Sequence, residues 1–194
     1  MRAYQKERFL NAVCFFAREH SKRIGRPAFQ TYVYKYLALF DFKVLELEGL
    51  PALDIKYNAM EMGPVPLGLY SEKQDTSHYR FLPIRNAKGE EKTIVDPLIE
   101  PNLDYFSEDE ISIMKSILDE FAHPGASTEA LIDATHERIQ AWKKAWARRG
   151  MAKSVPMSYS DTFDTDEQTE VYEHFLTYKA LQRVPRRRHS MGQL

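Results

Sequence analysis

The stretch that most constrains this chain is Tyr57-Asn58-Ala59-Met60-Glu61-Met62-Gly63-Pro64-Val65-Pro66, followed by Leu67-Gly68-Leu69-Tyr70. Gly63 can take backbone angles that other residues resist, and Pro64 and Pro66 each fix φ and remove an N–H donor. Proline is tolerated in the first turn of a helix, so residues 64–66 are read as a bend that delivers the chain into a short helix ending near Tyr70. Two readings of this corner stand side by side. It is either architecture that buries Tyr57, Met62 and Tyr70, or a scaffold that presents them.

On either side of the corner the periodicity is helical. Phe9, Ala12, Val13, Phe16 and Ala17 fall at helical spacing within residues 4–21, and the turn from Ser21 to Pro27 ends that segment. A second helix from about Ala28 carries Val33, Tyr36, Leu37, Phe40, Val44 and Leu47 on one face until Gly49 and Pro51 stop it. Residues 40–44 alternate like a strand, but Leu45 breaks the alternation, so helix is favoured. After the corner, 78–86 and 91–97 flank a Gly-containing turn, and Phe81, Ile84, Ile94 and Val95 make this a β-hairpin. Pro83 and Pro97 confine it to a small or edge pairing. Ser107 with Glu110 forms a capping box that opens a helix through Ile111, Met114, Leu118 and Phe121. Ser127 caps the next helix, which runs through Leu131, Ile132, Ile139, Trp142 and Trp146 towards Gly150, with a kink expected around Thr135–His136. Thr165 with Gln168 is a further capping box, ahead of Val171, Tyr172, Phe175, Leu176 and Tyr178.

The expected fold is mainly α, about six helices with one small β-hairpin, in a single compact α+β-type domain. At 194 residues the chain can bury a real core without disulfides or metals. The expected division is a main domain over 1–150, a helical extension packing on it over 151–182, and a basic, disordered tail over 183–194. There is no apolar run of membrane-spanning length, and Lys6, Glu7, Arg8 and Arg18 interrupt the first twenty residues, unlike a signal peptide. No membrane partner and a cytoplasmic location are expected.

Chemistry-bearing patterns are absent from the sequence. His136–Glu137 has the start of a zinc-protease helix, but the position four residues after His136 is Gln140, so the ligand pair is missing. His136 is read as a buried or half-buried hydrogen-bonding residue beside Trp142. The eight glycines form neither a phosphate loop nor a dinucleotide fingerprint, and Gly-x-Ser-x-Gly does not occur. Cys14, the only cysteine, precludes an intrachain disulfide and lies on the apolar side of the first helix, as a small core residue does. No catalytic residue, metal or cofactor is expected, and the chain is read as a non-enzyme.

The net charge of −1 gives no global attraction to nucleic acid. From Lys179 to Leu194, however, there are five basic residues and no acidic ones, including Arg186, Arg187 and Arg188. This is either a solvated tail or an electrostatic arm for an acidic protein surface or nucleic acid. Without aromatic interleaving or a helix-turn-helix pattern, specific base reading is not expected.

Tyr57-x-Ala59-Met60-x-Met62-Gly63-Pro64-Val65-Pro66-x-x-x-Tyr70, after an N-terminal helix pair, resembles the Ala-Trp-x-Tyr-Gly-Pro-Val signature of the Panacea domain family. Phe106–Glu110 and the later Thr135–His136 with Ala141–Trp142 resemble its second half, so the likeness spans roughly 8–148. Met60 and Met62 stand where the family commonly has an aromatic. The resemblance implies an antitoxin, akin to SocA-like and phage-associated members, that neutralises a toxin encoded nearby by direct binding. One branch of the family is a proteolytic adaptor delivering its toxin to a Clp-type protease, which is the alternative, together with a phage or mobile-element nucleic-acid role for the arginine tail. Candidate toxin contacts are Tyr57, Met60, Met62, Gly63, Pro64, Val65 and Tyr70, with the β-hairpin beside them. Pro66, Ser107, His136 and Trp142 are expected to lock the scaffold.

Overall fold

A computed structural model describes residues 3–85, 89–163 and 169–183. Two long helices come first, α1 (Ala3–Ile24) and α2 (Gln30–Glu48). Every residue from 33 to 42 is buried, so α2 is wrapped on all sides. Its sides are taken by α1 and by elements from most of the later chain. The strand-like alternation at 40–44 falls on a helix of which only Lys43 is exposed in that stretch, so alternation carries no information there. Gly49, at φ +74°, ends α2 by donating its N–H to the Leu45 carbonyl.

The corner is a hairpin. Strand β1 (Tyr57–Met60) pairs antiparallel with β2 (Gly63–Pro66) through the turn at Glu61–Met62, and β2 runs directly into the short helix α3 (Leu67–Glu72). The expected helix is present, but the bend into it is a strand, because two prolines at ladder positions still permit extended φ. The β3 (Tyr79–Arg85) and β4 (Glu91–Pro97) hairpin forms as expected, with Phe81 opposite Val95. The Val95 N–H also reaches the Ala28 carbonyl at 2.9 Å, which ties this hairpin to the loop before α2.

Helix α4 (Glu108–Phe121) opens with the expected capping box: Ser107 Oγ accepts from the Glu110 N–H at 3.1 Å, and the Ser107 N–H donates to Glu110 Oε2 at 2.9 Å. Glu110 also pairs with Arg8 of α1. The helix expected through Trp146 is two, α5 (Thr128–Arg138) and α6 (Gln140–Ala147). The break falls at Ile139, in extended geometry and buried, and not at Thr135–His136. Thr135 Oγ1 donates back to the Ile132 carbonyl at 2.7 Å, so its hydroxyl is satisfied within its own helix.

Beyond α6 a short strand, β5 (Ser154–Pro156), adds to the free edge of β1, giving a three-stranded sheet of order β2-β1-β5. No strand was expected there. Helix α7 (Glu170–Arg183) then lies against the end of α2, where a Cβ on Gly49 would collide with the Val171 carbonyl. The Thr165–Gln168 box lies outside the described residues; among the described ones Thr169 does the capping, its Oγ1 accepting from the Tyr172 N–H at 3.2 Å. Leu176, expected on the apolar face of α7, is exposed, while Phe175 is buried. Seven α-helices are present among the described residues, one more than expected because of the break at Ile139.

Candidate functional site

The hairpin β1–β2 and the end of α6 enclose a groove of about 670 Å³. Met60, Met62 and Tyr70 line it, together with Trp146, Arg149 and Met151. Tyr34 and Lys35 of α2, both buried, also line it. Met62 is 56% exposed and Tyr70 44%, and Met151 is fully exposed.

A column of flat groups runs up to the groove residues Trp146 and Arg149. The His136 ring stacks on Trp142, Trp142 on Trp146 at 5.8 Å between centroids, and the Arg149 guanidinium lies 4.1 Å from the centre of the Trp146 ring. Trp142 Nε1 donates to the Met60 carbonyl at 3.1 Å, so the column grips the end of β1. Burial, and then the nearby charge of Lys35, lower the pKa of His136.

The corner residues divide between surface and interior. Met60 is half-buried, and Met62 and Tyr70 face solvent. Tyr57, Gly63 and Pro64 are buried, and Val65, also buried, contributes to the groove lining. The Tyr57 hydroxyl donates to the Leu37 carbonyl at 3.3 Å, and Pro66 is buried where β2 turns into α3. Gly63, at φ +93°, is required by close approach: a Cβ there would stand 2.5 Å from Thr135 Oγ1. The corner is thus both readings at once, architecture underneath and presentation at its turn. The β3–β4 hairpin, a candidate contact surface on sequence, contributes nothing to the groove. Arg186, Arg187 and Arg188 lie outside the described residues.

A family model described as "Antitoxin SocA-like, Panacea domain" matches residues 33–143, more than half of the chain. The chain belongs to that family. No curated protein and no solved structure matches it. The Panacea match takes in most of α2, the corner, the β3–β4 hairpin, α4, α5 and the start of α6 with Trp142. It stops short of Trp146, Arg149 and Met151, so half of the groove is built by chain outside the family match.

Lys35, Trp146, Arg149 and Met151 are among the groove residues that the sequence reading did not single out as contacts. Lys35 was visible as the one cation inside the apolar run from Val33 to Phe40. Trp146 stands four residues after Trp142, the spacing that puts two rings on one helix face. Arg149 and Met151 carried no signal, since their position depends on where α6 ends. Among the described residues no helix is long and apolar enough to cross a membrane. Burial pushes the Cys14 thiol up to about 12, in keeping with a core position; its Sγ donates to the His78 carbonyl at 3.0 Å.

Proposed function

We propose that this Panacea-domain chain is an antitoxin that neutralises a cognate toxin by direct protein–protein contact, and that the toxin docks in the groove between the β1–β2 turn and the end of α6. The observation that carries the reading is the gathering of Met62, Tyr70 and Met151, all large and exposed, around one groove. Solvent-facing apolar groups clustered at a concavity mark interaction surfaces. Methionine suits such a surface because its flexible, polarizable side chain adapts to a partner. The antitoxin description of the family supports the role. The reading requires no catalysis, metal or cofactor.

The test is growth of cells expressing the open reading frame adjacent to this gene, with and without this chain, combined with co-purification of the two products. Relief of toxicity through a stable complex is the expected result. Relief only in cells that hold a Clp-type protease replaces neutralisation by delivery to proteolysis. No toxicity and no complex overturns the proposal.

A further inference from the structure

Lys35 is the residue that packing alone does not account for. It is 2% exposed in the middle of α2, and its ammonium donates to the Pro64 carbonyl at 3.0 Å. Among the described residues no carboxylate pairs with it, and burial alone acts on its charge. An ammonium has three N–H donors, so two remain for another group. A buried ammonium without an anion is costly, so such a group either meets an anion or gives up its proton.

Other polar atoms converge on the same spot. Thr135 Oγ1, Lys35 Nζ and His136 Nε2 lie 2.5, 3.1 and 3.4 Å from where a Cβ on Gly63 would sit. The Thr135 hydroxyl is committed to Ile132, whereas His136 Nε2 is buried with no hydrogen-bond partner among the described residues. Lys35 lines the groove, and so do Arg149 and Lys153, against Glu61 as the one carboxylate. The lining is therefore apolar with a surplus of positive charge.

We propose that the Lys35 end of the groove is a carboxylate subsite, filled by an Asp or Glu side chain on an apolar segment of the docked toxin. The identity of that occupant rests on the docking reading above. The carboxylate accepts the two remaining Nζ–H bonds, while Met60, Met62 and Tyr70 cover the apolar residues next to it. The groups around Lys35 are His136 and Thr135 of α5 and the Pro64 carbonyl of β2; Tyr34, Glu61, Tyr70, Arg149 and Lys153 share the groove. Burial holds the free Lys35 ammonium down to about 7 from 10.5. An arriving carboxylate restores the charged form, so occupancy at pH 8 draws a proton from solution.

The first arm of the test uses the full chain with lysine labelled at Cε, titrated with acetate alone and followed by NMR, with Lys35→Met assigning the resonance. The expected result is an acetate-dependent rise of the Lys35 titration midpoint by at least about half a unit, unmatched at the surface lysines. A Lys35 midpoint that ignores acetate overturns the subsite. The second arm measures toxin binding by calorimetry at pH 8 in buffers of different ionisation heat. Wild type takes up close to one proton, and Lys35→Met, checked for folding by its thermal midpoint, binds at least about thirtyfold more weakly without uptake. A Lys35→Met complex as tight as wild type overturns the subsite and leaves docking intact. No complex from wild type overturns docking, and the acetate arm then decides the subsite by itself.

Discussion

The His136 imidazole lies flat on the Trp142 indole, with ring centroids 3.9 Å apart and planes 10° from parallel. The two residues stand on opposite sides of the extended Ile139, so side-chain stacking bridges a point where the backbone helix is interrupted. Trp142 also holds the Met60 carbonyl, so the same residue joins the α5–α6 break to the hairpin.

Trp142→Ala removes both the stack and the grip on β1. It is expected to lower stability by about 3–5 kcal/mol in urea unfolding. Trp142→Phe keeps a ring and deletes only the Nε1 donor, for a loss of about 1 kcal/mol. Equal stability of Trp142→Phe and wild type would show that the bond to Met60 contributes nothing.

Gly63→Ala is strained twice, by φ +93° and by the Thr135 hydroxyl in the way of a Cβ. A loss of about 2–4 kcal/mol is expected. Gly68→Ala in α3 meets nothing within 4 Å and should gain a few tenths to about 1 kcal/mol from helix propensity. Thermal midpoints moving in the same direction for both variants would refute this contrast.

Asp41 is fully buried in α2 and accepts from the Leu53 N–H at 2.7 Å and the Tyr159 hydroxyl at 2.6 Å. Burial raises its pKa to about 6 from 3.8, so the native carboxyl keeps a proton that the unfolded chain has released. The native state binds more protons across that window. Its stabilising contribution is full below pH 3.8 and is lost as pH rises through about 6. Asp41→Asn should abolish this part of the stability–pH profile; an unchanged slope between wild type and variant between those values would disprove the assignment.

Lys35→Met replaces a buried ammonium by an apolar chain of similar length. The free protein should gain about 1 kcal/mol or more at neutral pH. The gain should shrink as pH climbs from about 7 to 10.5, because over that range the unfolded chain surrenders the proton the native state has already lost. Chemical denaturation at pH 7 and pH 10 reads both effects, and a destabilised variant at pH 7 contradicts the account.

Met62→Ser and Tyr70→Ala alter exposed side chains, so each should leave stability within about 0.5 kcal/mol of wild type. Each should weaken toxin binding by about tenfold or more if the groove is the docking site. Ile84→Ser, on β3 and outside the groove, is the control expected to change neither. Binding lost in Ile84→Ser and kept in the other two would move the interface to the β3–β4 hairpin.

Local rules reached those parts of the fold whose causes are local. The Ser107–Glu110 box, the Gly49 stop and the β3–β4 hairpin each depend on a few adjacent residues, and each formed where expected. The β1–β2 pairing was hidden because proline-rich strands look like bends until a partner strand is in place. Strand β5 was hidden more thoroughly, since its three residues become a strand only through β1. Within the site, Met62 and Tyr70 were legible from the turn chemistry around them. Tyr57 is buried because alternation along β1 turns it inward, whereas all of β2 is buried and Val65 still lines the groove. Lys35 was passed over because helical periodicity groups residues by face, and α2 has no outward face along residues 33–42.

Both long edges of β1 are occupied, by β2 on one side and β5 on the other. The second neighbour comes from residues 154–156, while the family match ends at 143. A fragment trimmed at the family boundary would bare the outer backbone donors and acceptors of residues 58–60, a template for any extended segment that drifts past. The three-residue strand is in that sense a plug, and pulling it turns a self-contained sheet into an adhesive one.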